Sequence, residues 1–516
     1  MVNSKDRLLA GLLPAAAPPL ARWLCARAGL DDAVLADRRH GFDAAHYGRS
    51  AGRRFGSRRA ALLHYLLIGS AAGLQPRPDF DPMAYRRLNP HVAATGYEPF
   101  AHYLRFGRAE RRLTRSDDAV GEPDVLPDLP GLLARAPRHD PGAARVDVVI
   151  PVHGARRLTL RTLASVLQAE VATPHELTVI DDASPDLALR HDLEALARAG
   201  HLTLLTNDRN MGFVATANRA FKLHGERDVV LLNSDTRVYG NWLDRLMAAL
   251  HSTATTATAS PLSNAATILS YPLFLCDSHS LFDADFAAID GYCAGLSHAP
   301  VELPTAHGFC MAVKRACLAR IGLFDEKNFG RGYGEENDFS LRAIADGWRH
   351  VAAADVFVWH RGGASFGAER QARIEAAQQT IERLHPGYAA VVRDFIAADP
   401  LAGLRCALDV ARIRADARPK LLCLGAVAGA SARREELRLA LVSDIAPHAG
   451  FFRIVASEFG AIPNLPRFAG QAVDDLARTM RSLGVQELRQ RSPRHGSTAL
   501  ARLARLASEQ AGVRVS

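Results

Sequence analysis

Val148-Val149-Ile150-Pro151-Val152-His153-Gly154 is a short apolar run that breaks into a turn, and three more runs of the same design follow it. Leu177-Thr178-Val179-Ile180 leads into Asp181-Asp182-Ala183-Ser184. Residues 202–205 lead into Asn207-Asp208-Arg209-Asn210-Met211-Gly212-Phe213, and residues 229–232 into Asn233-Ser234-Asp235-Thr236. Segments of helical periodicity, such as 158–168, separate them. Short apolar runs alternating with amphipathic segments predict strands joined by helices, the rhythm of a mainly parallel sheet covered on both faces. The expected fold class is α/β, Rossmann-like. In such sheets a ligand sits beyond the carboxyl ends of the strands. One acidic cluster there says little, because aspartate is a common turn residue. Four in phase point to a nucleotide, which needs contacts from several strand ends at once.

Three later motifs extend the pattern: Ser260-Pro261-Leu262-Ser263-Asn264, Gly332-Tyr333-Gly334-Glu335-Glu336-Asn337-Asp338-Phe339 and Val358-Trp359-His360. Taken alone, a histidine beside a tryptophan reads as a packed core residue, and an acidic run reads as a helix N-terminus complementing its dipole. Taken in order with the four strand ends, the motifs resemble glycosyltransferase family 2, whose catalytic domain has the GT-A fold. The resemblance spans roughly 145–390. Its variants are similar to bacterial surface-polysaccharide enzymes, including rhamnosyltransferase-like members.

The resemblance implies a nucleotide-sugar donor and a glycan or lipid-linked acceptor. A departing nucleotide diphosphate gathers negative charge, which a bridging divalent cation offsets. Oxygen-rich ligands suit Mg2+ or Mn2+. Asp235 and His360 match the metal ligands, with Ser234 beside Asp235 on the donor. Asn233 stands where the family commonly has an aspartate, so one carboxylate must serve. Asp181 and Asp182 match the acidic pair that recognises base and ribose, since carboxylates accept from N–H and O–H groups. Pro151 and Val152 match the base pocket, and Asn210, Gly212 and Asn218 the donor-side loop. Glu336 matches the general base that takes the acceptor proton, although the family's residue is an aspartate. Neighbouring carboxylates raise one another's pKa and suit a base to neutral pH. Asn264, Glu335 and Asp338 are expected on the acceptor or loop side. A base without an evident enzyme nucleophile implies direct displacement with inversion.

Outside this region a repeat stands out. Phe42-Asp43-Ala44-Ala45-His46-Tyr47, Leu63-His64-Tyr65-Leu66 and Gly69 return 38 residues later as Phe80-Asp81-Pro82-Met83-Ala84-Tyr85, Ala101-His102-Tyr103-Leu104 and Gly107. Equal offsets at three anchors define tandem units. Their histidines and tyrosines read as packing anchors. The expected organisation is an N-terminal segment 1–36, tandem 38-residue helical repeats over 37–115, and a linker over 116–144. The GT-A domain follows over 145–398, then a linker over 399–418 and a partial Rossmann-like unit over 419–516. In that last unit residues 433–442 read as a helix, and 452–456 as a strand.

Of 516 residues, 48% are hydrophobic and 23% charged, the balance of a globular protein. The net charge of +8 suits anionic partners such as nucleotide diphosphates or anionic lipid; nucleic acid is not expected. The seven cysteines lack metal-knuckle or redox spacing, so reduced thiols and a cytoplasmic location are expected. No apolar run approaches the ~20 residues of a membrane span. Residues 8–17 imitate a signal peptide, but Pro14, Pro18 and Pro19 interrupt them, which favours a short amphipathic helix touching the inner face of the plasma membrane.

Two rival readings remain. A sugar nucleotidyltransferase also uses a parallel sheet and acidic metal site, yet Pro151-Val152-His153-Gly154-Ala155 lacks the repeated glycines that hold a triphosphate. A non-catalytic scaffold of a polysaccharide-assembly complex takes its support from Asn233.

Overall fold

The structure, a computed structural model, describes residues 145–275, 286–362 except 297 and 331, 370–424, 436–443, 451–456, 471–489 and 498–516. It also describes most of 41–82, residues 85, 98–108, 114 and 126–135, and most of 462–469. The expected N-terminal helix lies outside these residues, as does most of the 116–144 linker. Contacts divide the chain into two compact units, one of 123–278 and 284–412, the other of 1–122, 279–283 and 413–516.

The first unit is built on an eight-stranded sheet. Its strands are β1 (Val146–Val152), β2 (His175–Asp181), β3 (Thr203–Thr206), β4 (Asp228–Leu232), β6 (Thr256–Leu262), β7 (Val301–Leu303), β8 (Cys310–Val313) and β9 (Arg349–Phe357). Their order is β3-β2-β1-β4-β8-β6-β9-β7. β1 runs parallel to β2 and β4, and β2 to β3. β8 enters antiparallel between β4 and β6. The apolar runs of β1 and β4 are buried without alternation, because helices cover both faces. Helix Arg156–Gln168 buries Leu160, Leu163 and Val166. Helices Phe213–Phe221 and Glu335–Ala345 bury Val214, Phe221 and Phe339 in a core with Val149, Ile180, Leu231 and Met311. A separate ribbon pairs β5 (Thr236–Arg237) with β10 (Trp359–His360) in antiparallel register.

The segment 399–418, expected as a linker, instead holds helix Ala402–Ala415. Its Leu401, Leu404, Arg405, Leu408, Asp409 and Arg412 are buried. Buried arginines and an aspartate blur the apolar stripe from which a packed helix is recognised.

In the other unit the Tyr–His anchors of the two expected repeats make the same contact. The Tyr47 hydroxyl meets His64 Nδ1 at 2.6 Å, and the Tyr85 hydroxyl meets His102 Nδ1 at 3.0 Å. Both pairs are buried in one aromatic cluster with Phe42, Tyr65, Phe80 and Phe100. Gly69 packs against the Tyr47 ring, so a side chain there would displace it.

The C-terminal sheet orders its strands β14 (Arg467–Ala469), β13 (Phe451–Ala456), β12 (Leu437–Ser443), β11 (Lys420–Leu424), β15 (Val485–Arg489) and β16 (Arg514–Val515). It is parallel from β12 through β11 and β15 to β16, and antiparallel at β13 and β14. The helix expected over 433–442 is therefore corrected: from Leu437 the chain is strand β12. Leu437, Leu439 and Leu441 alternate into the core, and that burial outweighs the helix propensity of their Arg, Glu, Leu and Ala neighbours. Cys293, Cys310, Cys317, Cys406 and Cys423 are free thiols. No described helix is long and apolar enough to cross a membrane.

Candidate active site

Beyond the carboxyl ends of β1, β2 and β3, three turns are sewn together. The end of β1, with Pro151 half-buried and Val152 buried, pairs in register with Ile180 and Asp181. Asp181 is buried; its Oδ1 accepts from Ser184 N at 3.0 Å, and Arg190 lies 3.8 Å from its Oδ2. Asp182 is buried and accepts three bonds from the next loop: Asn207 Nδ2 at 2.8 Å, Met211 N at 2.7 Å and Gly212 N at 2.8 Å. Its carboxylate is thus committed to shaping the 207–212 turn. Asp182, expected to read base and ribose, is thus turned toward the neighbouring loop, and Asp181 stays at the strand end.

Asn210 shares the arrangement: its Oδ1 accepts from Gly212 N at 3.1 Å, and its Nδ2 meets His153 Nε2 at 2.9 Å. His153 Nδ1 lies 2.9 Å from the Asp182 carbonyl, which can only accept. The proton therefore sits on Nδ1, and Nε2 accepts from Asn210. Sequence reasoning gave His153 no role, although its place directly after β1 marked it. Gly212 has φ +85°, the left-handed region glycine favours, as it opens helix Phe213–Phe221. Asn218, expected on the donor-side loop, lies within helix Phe213–Phe221. It is buried, and its amide spans to the 324–326 segment, bonding Phe324 O at 3.0 Å, Phe324 N at 2.9 Å and Glu326 Oε1 at 2.7 Å.

Past β4 the chain turns through half-buried Asn233 and Ser234 into Asp235. The β5–β10 register sets Thr236 opposite His360, which brings Asp235 and His360 together although 125 residues part them. His360 Nε2 lies 3.4 Å from Asp235 Oδ1. Thr162, from helix Arg156–Gln168, grips Thr236 through its carbonyl at 2.7 Å and its N–H at 3.1 Å.

His360 is held on every side. Asn264, fully buried, accepts from His360 N at 2.8 Å and donates to His360 O at 2.9 Å. His360 Nδ1 lies 2.9 Å from the Ala265 carbonyl, and the Phe309 ring stacks on the imidazole at 5.0 Å. The Ala265 oxygen can only accept, so Nδ1 carries a proton, and Nε2 is the ring atom turned toward the Asp235 carboxylate. A carboxylate oxygen and a ring nitrogen this close can share a proton or a cation. The donor set, one carboxylate oxygen and one imidazole nitrogen, fits Mn2+ or Mg2+. Burial acts to raise the Asp235 pKa, but His360, hydrogen bonds and Arg361 outweigh it and hold the group below the usual carboxylate range.

Asp147, Glu176 and His224 also cluster closely enough to hold an ion. They lie at the amino ends of β1 and β2 and before β4, and Arg227 Nη1 already sits among them, 3.1 Å from Asp147 and 2.7 Å from Glu176. The guanidinium supplies the positive charge, so this cluster is a structural ion pair.

Helix Glu335–Ala345 begins at Gly334, whose φ of +91° and close approach to Phe329 exclude a side chain. Glu335 and Glu336 lie against each other, and one oxygen of each is buried without a partner among the described residues. Burial raises the pKa of both, and the Glu336 charge raises Glu335 further. Glu335 therefore keeps its proton while Glu336 ionises first. The Glu336 carboxyl approaches Gly308, in the loop whose Phe309 covers His360. In that loop His307 is held neutral by burial and by His360, its pKa pushed down to about 4. Asp338 turns away: it bonds Arg342 Nε at 2.8 Å and His385 Nε2 at 2.8 Å.

Residues 142–375 match the model of the family described as "Glycosyltransferase like family 2". That match covers somewhat under half of the chain. A Drosophila melanogaster protein bearing the name polypeptide N-acetylgalactosaminyltransferase 13 is 36% identical over 121 residues, covering 21% of this chain and 22% of the relative. The chain thus spans about a fifth of that relative's length. GalNAc-T7 solved with UDP, GalNAc and Mn2+ aligns with a TM-score of 0.34 at 19% identity, over 43% of this chain and 44% of that one. The Pyrobaculum calidifontis mannosyltransferase PcManGT, solved with GDP-Man and Mn2+, aligns at 0.32 and 15% identity, over 55% and 92%. Both structural likenesses are too slight to bear on function.

Proposed function

We propose that the 145–398 region is an inverting glycosyltransferase that moves a sugar from a nucleotide-diphosphate sugar to a hydroxyl of a glycan or lipid-linked acceptor. The observation that carries this reading is the facing of His360 Nε2 and Asp235 Oδ1 at 3.4 Å, with the histidine proton fixed on Nδ1. Asp235 and His360 would hold Mg2+ or Mn2+, which offsets the charge of the departing diphosphate. Pro151, Val152 and Asp181 would line the nucleoside, with Ser234 near the diphosphate. Asp182, His153 and Asn210 would keep the 207–212 turn in shape for it. Glu336 would take the proton of the attacking hydroxyl as the new glycosidic bond forms and the anomeric C–O bond to diphosphate breaks. Glu335, protonated beside it, would hold it in place.

The setting we propose is bacterial cell-surface polysaccharide synthesis in the cytoplasm, with contact at the inner face of the plasma membrane. In this reading the 37–115 repeats and the 419–516 unit serve docking. The test is release of nucleoside diphosphate by the purified full chain with Mn2+, across a panel of nucleotide sugars. Metal-dependent release is expected with at least one donor, and its loss in Asp235→Ala and Glu336→Ala. Wild-type protein inert toward the whole panel, or variants as active as wild type, would favour a scaffold.

A further inference from the structure

We infer that Tyr271 and Asp409 are positioning residues for His360, and that helix Ala402–Ala415 tunes the affinity of the site for its cation. This rests on the reading of Asp235 and His360 as cation ligands.

The chain of contacts is continuous. Both His360 backbone groups are held by the Asn264 amide, and the ring N–H by the Ala265 carbonyl. Neither residue is in a regular element; they belong to a loop pinched shut behind them. Tyr271 N donates to Ser263 O at 2.8 Å, Ser263 N to Leu269 O at 3.2 Å, and Ala266 N to Ser270 Oγ at 2.9 Å. The far side of the pinch is Tyr271, fully buried, whose hydroxyl donates to Asp409 Oδ1 at 2.8 Å. Arg412 Nη1 donates to the same hydroxyl at 3.2 Å and lies 3.5 Å from Asp409. Three residues on, Phe274 lies under the Arg405 guanidinium at 4.2 Å. Both arginines and Asp409 come from the one helix.

A polar group with no exposure is expensive to leave unpaired, so the Tyr271 hydroxyl fixes where this loop sits against the helix. That location sets Asn264 and Ala265, which aim Nε2. Partners that orient a metal-binding histidine contribute to the affinity of the metal itself. The helix lies outside the 142–375 stretch that matches the family model.

The test is Tyr271→Phe in the full chain, with Mn2+ alone titrated by electron paramagnetic resonance. We expect Mn2+ to bind about 3- to 10-fold more weakly than in wild type, at or below the low end of what such orienting partners contribute. The deficit should be larger at limiting than at saturating metal, which a general loss of packing would not produce. If Tyr271→Phe does not fold, Phe274→Leu, which removes the ring beneath Arg405, carries the same expectation. Asp235→Asn separates the two readings. Wild-type binding abolished by Asp235→Asn but unchanged in Tyr271→Phe overturns this inference alone. Equal binding by wild type and Asp235→Asn sinks the cation site, and the inference with it.

Discussion

Replacing Asp182 tests whether this carboxylate would contact a donor directly or serves to build the 207–212 turn. It accepts three hydrogen bonds and is 4% exposed. An asparagine can keep one oxygen toward Asn207 and Met211 but then turns its NH2 toward Gly212 N. That substitution loses one bond to a charged acceptor and leaves an N–H facing a donor, a cost of about 2 kcal/mol. Alanine loses all three and strands the Met211 N–H, while Gly212 N keeps Asn210 Oδ1, a cost of about 3 kcal/mol with allowance for relaxation. Against a whole-domain stability of about 5–15 kcal/mol, either is measurable by urea unfolding. If the loss is local, the Met211 and Gly212 amides should exchange about 30-fold faster in Asp182→Asn. Unchanged unfolding and unchanged exchange, together with a collapse of nucleotide affinity, would refute the reasoning and return Asp182 to direct contact with the donor.

Two further outcomes concern pH. Because the Glu335 hydrogen bond lowers the Glu336 pKa, Glu335→Leu should move the acidic limb of the turnover profile to higher pH, whereas Glu335→Gln, which still donates, should largely keep it; a limb unmoved in both variants argues against Glu336 as base. His350 is fully buried between Thr258 Oγ1 at 2.7 Å and Ser340 O at 3.0 Å, and its pKa is pushed down to about 4 by burial, against 6.5 ordinarily. The unfolded chain takes that proton as pH drops below 6.5 and the folded chain does not, so stability is lost between pH 6.5 and about 4. From pH 7 to 5 this one residue should cost about 2 kcal/mol in urea unfolding, and His350→Gln should flatten that slope.

The sheet was legible because β1, β2 and β4 are buried on both faces and write that burial as unbroken apolar runs. Asp235 and His360 were legible only as a pattern, and their meeting depends on the two-residue ribbon β5–β10, too short to leave a periodic trace. Asp181 and Asp182 look alike in sequence, yet the chain direction at the end of β2 gives one to the strand end and the other to the neighbouring loop. Asn218 read as a donor-loop residue because its motif stands close to the loop, whereas its helix faces it to the 324–326 segment. The segment 433–442 misled through local propensity, which the alternating burial of Leu437, Leu439 and Leu441 overrode. Helix Ala402–Ala415 escaped because its buried face is half charged, and partners such as Tyr271, Phe274 and Asp399 make that face compatible with burial.

That helix also decides where the 145–398 region can be cut from the rest. A fragment trimmed at residue 375 or 398 would take Asp409 and Arg412 from Tyr271 and Arg405 from Phe274, and on the proposed reading it would weaken the cation site while keeping Asp235, His360 and Glu336. A fragment carried through Ala415 retains them, and the two products would differ in how much manganese must be supplied before they work.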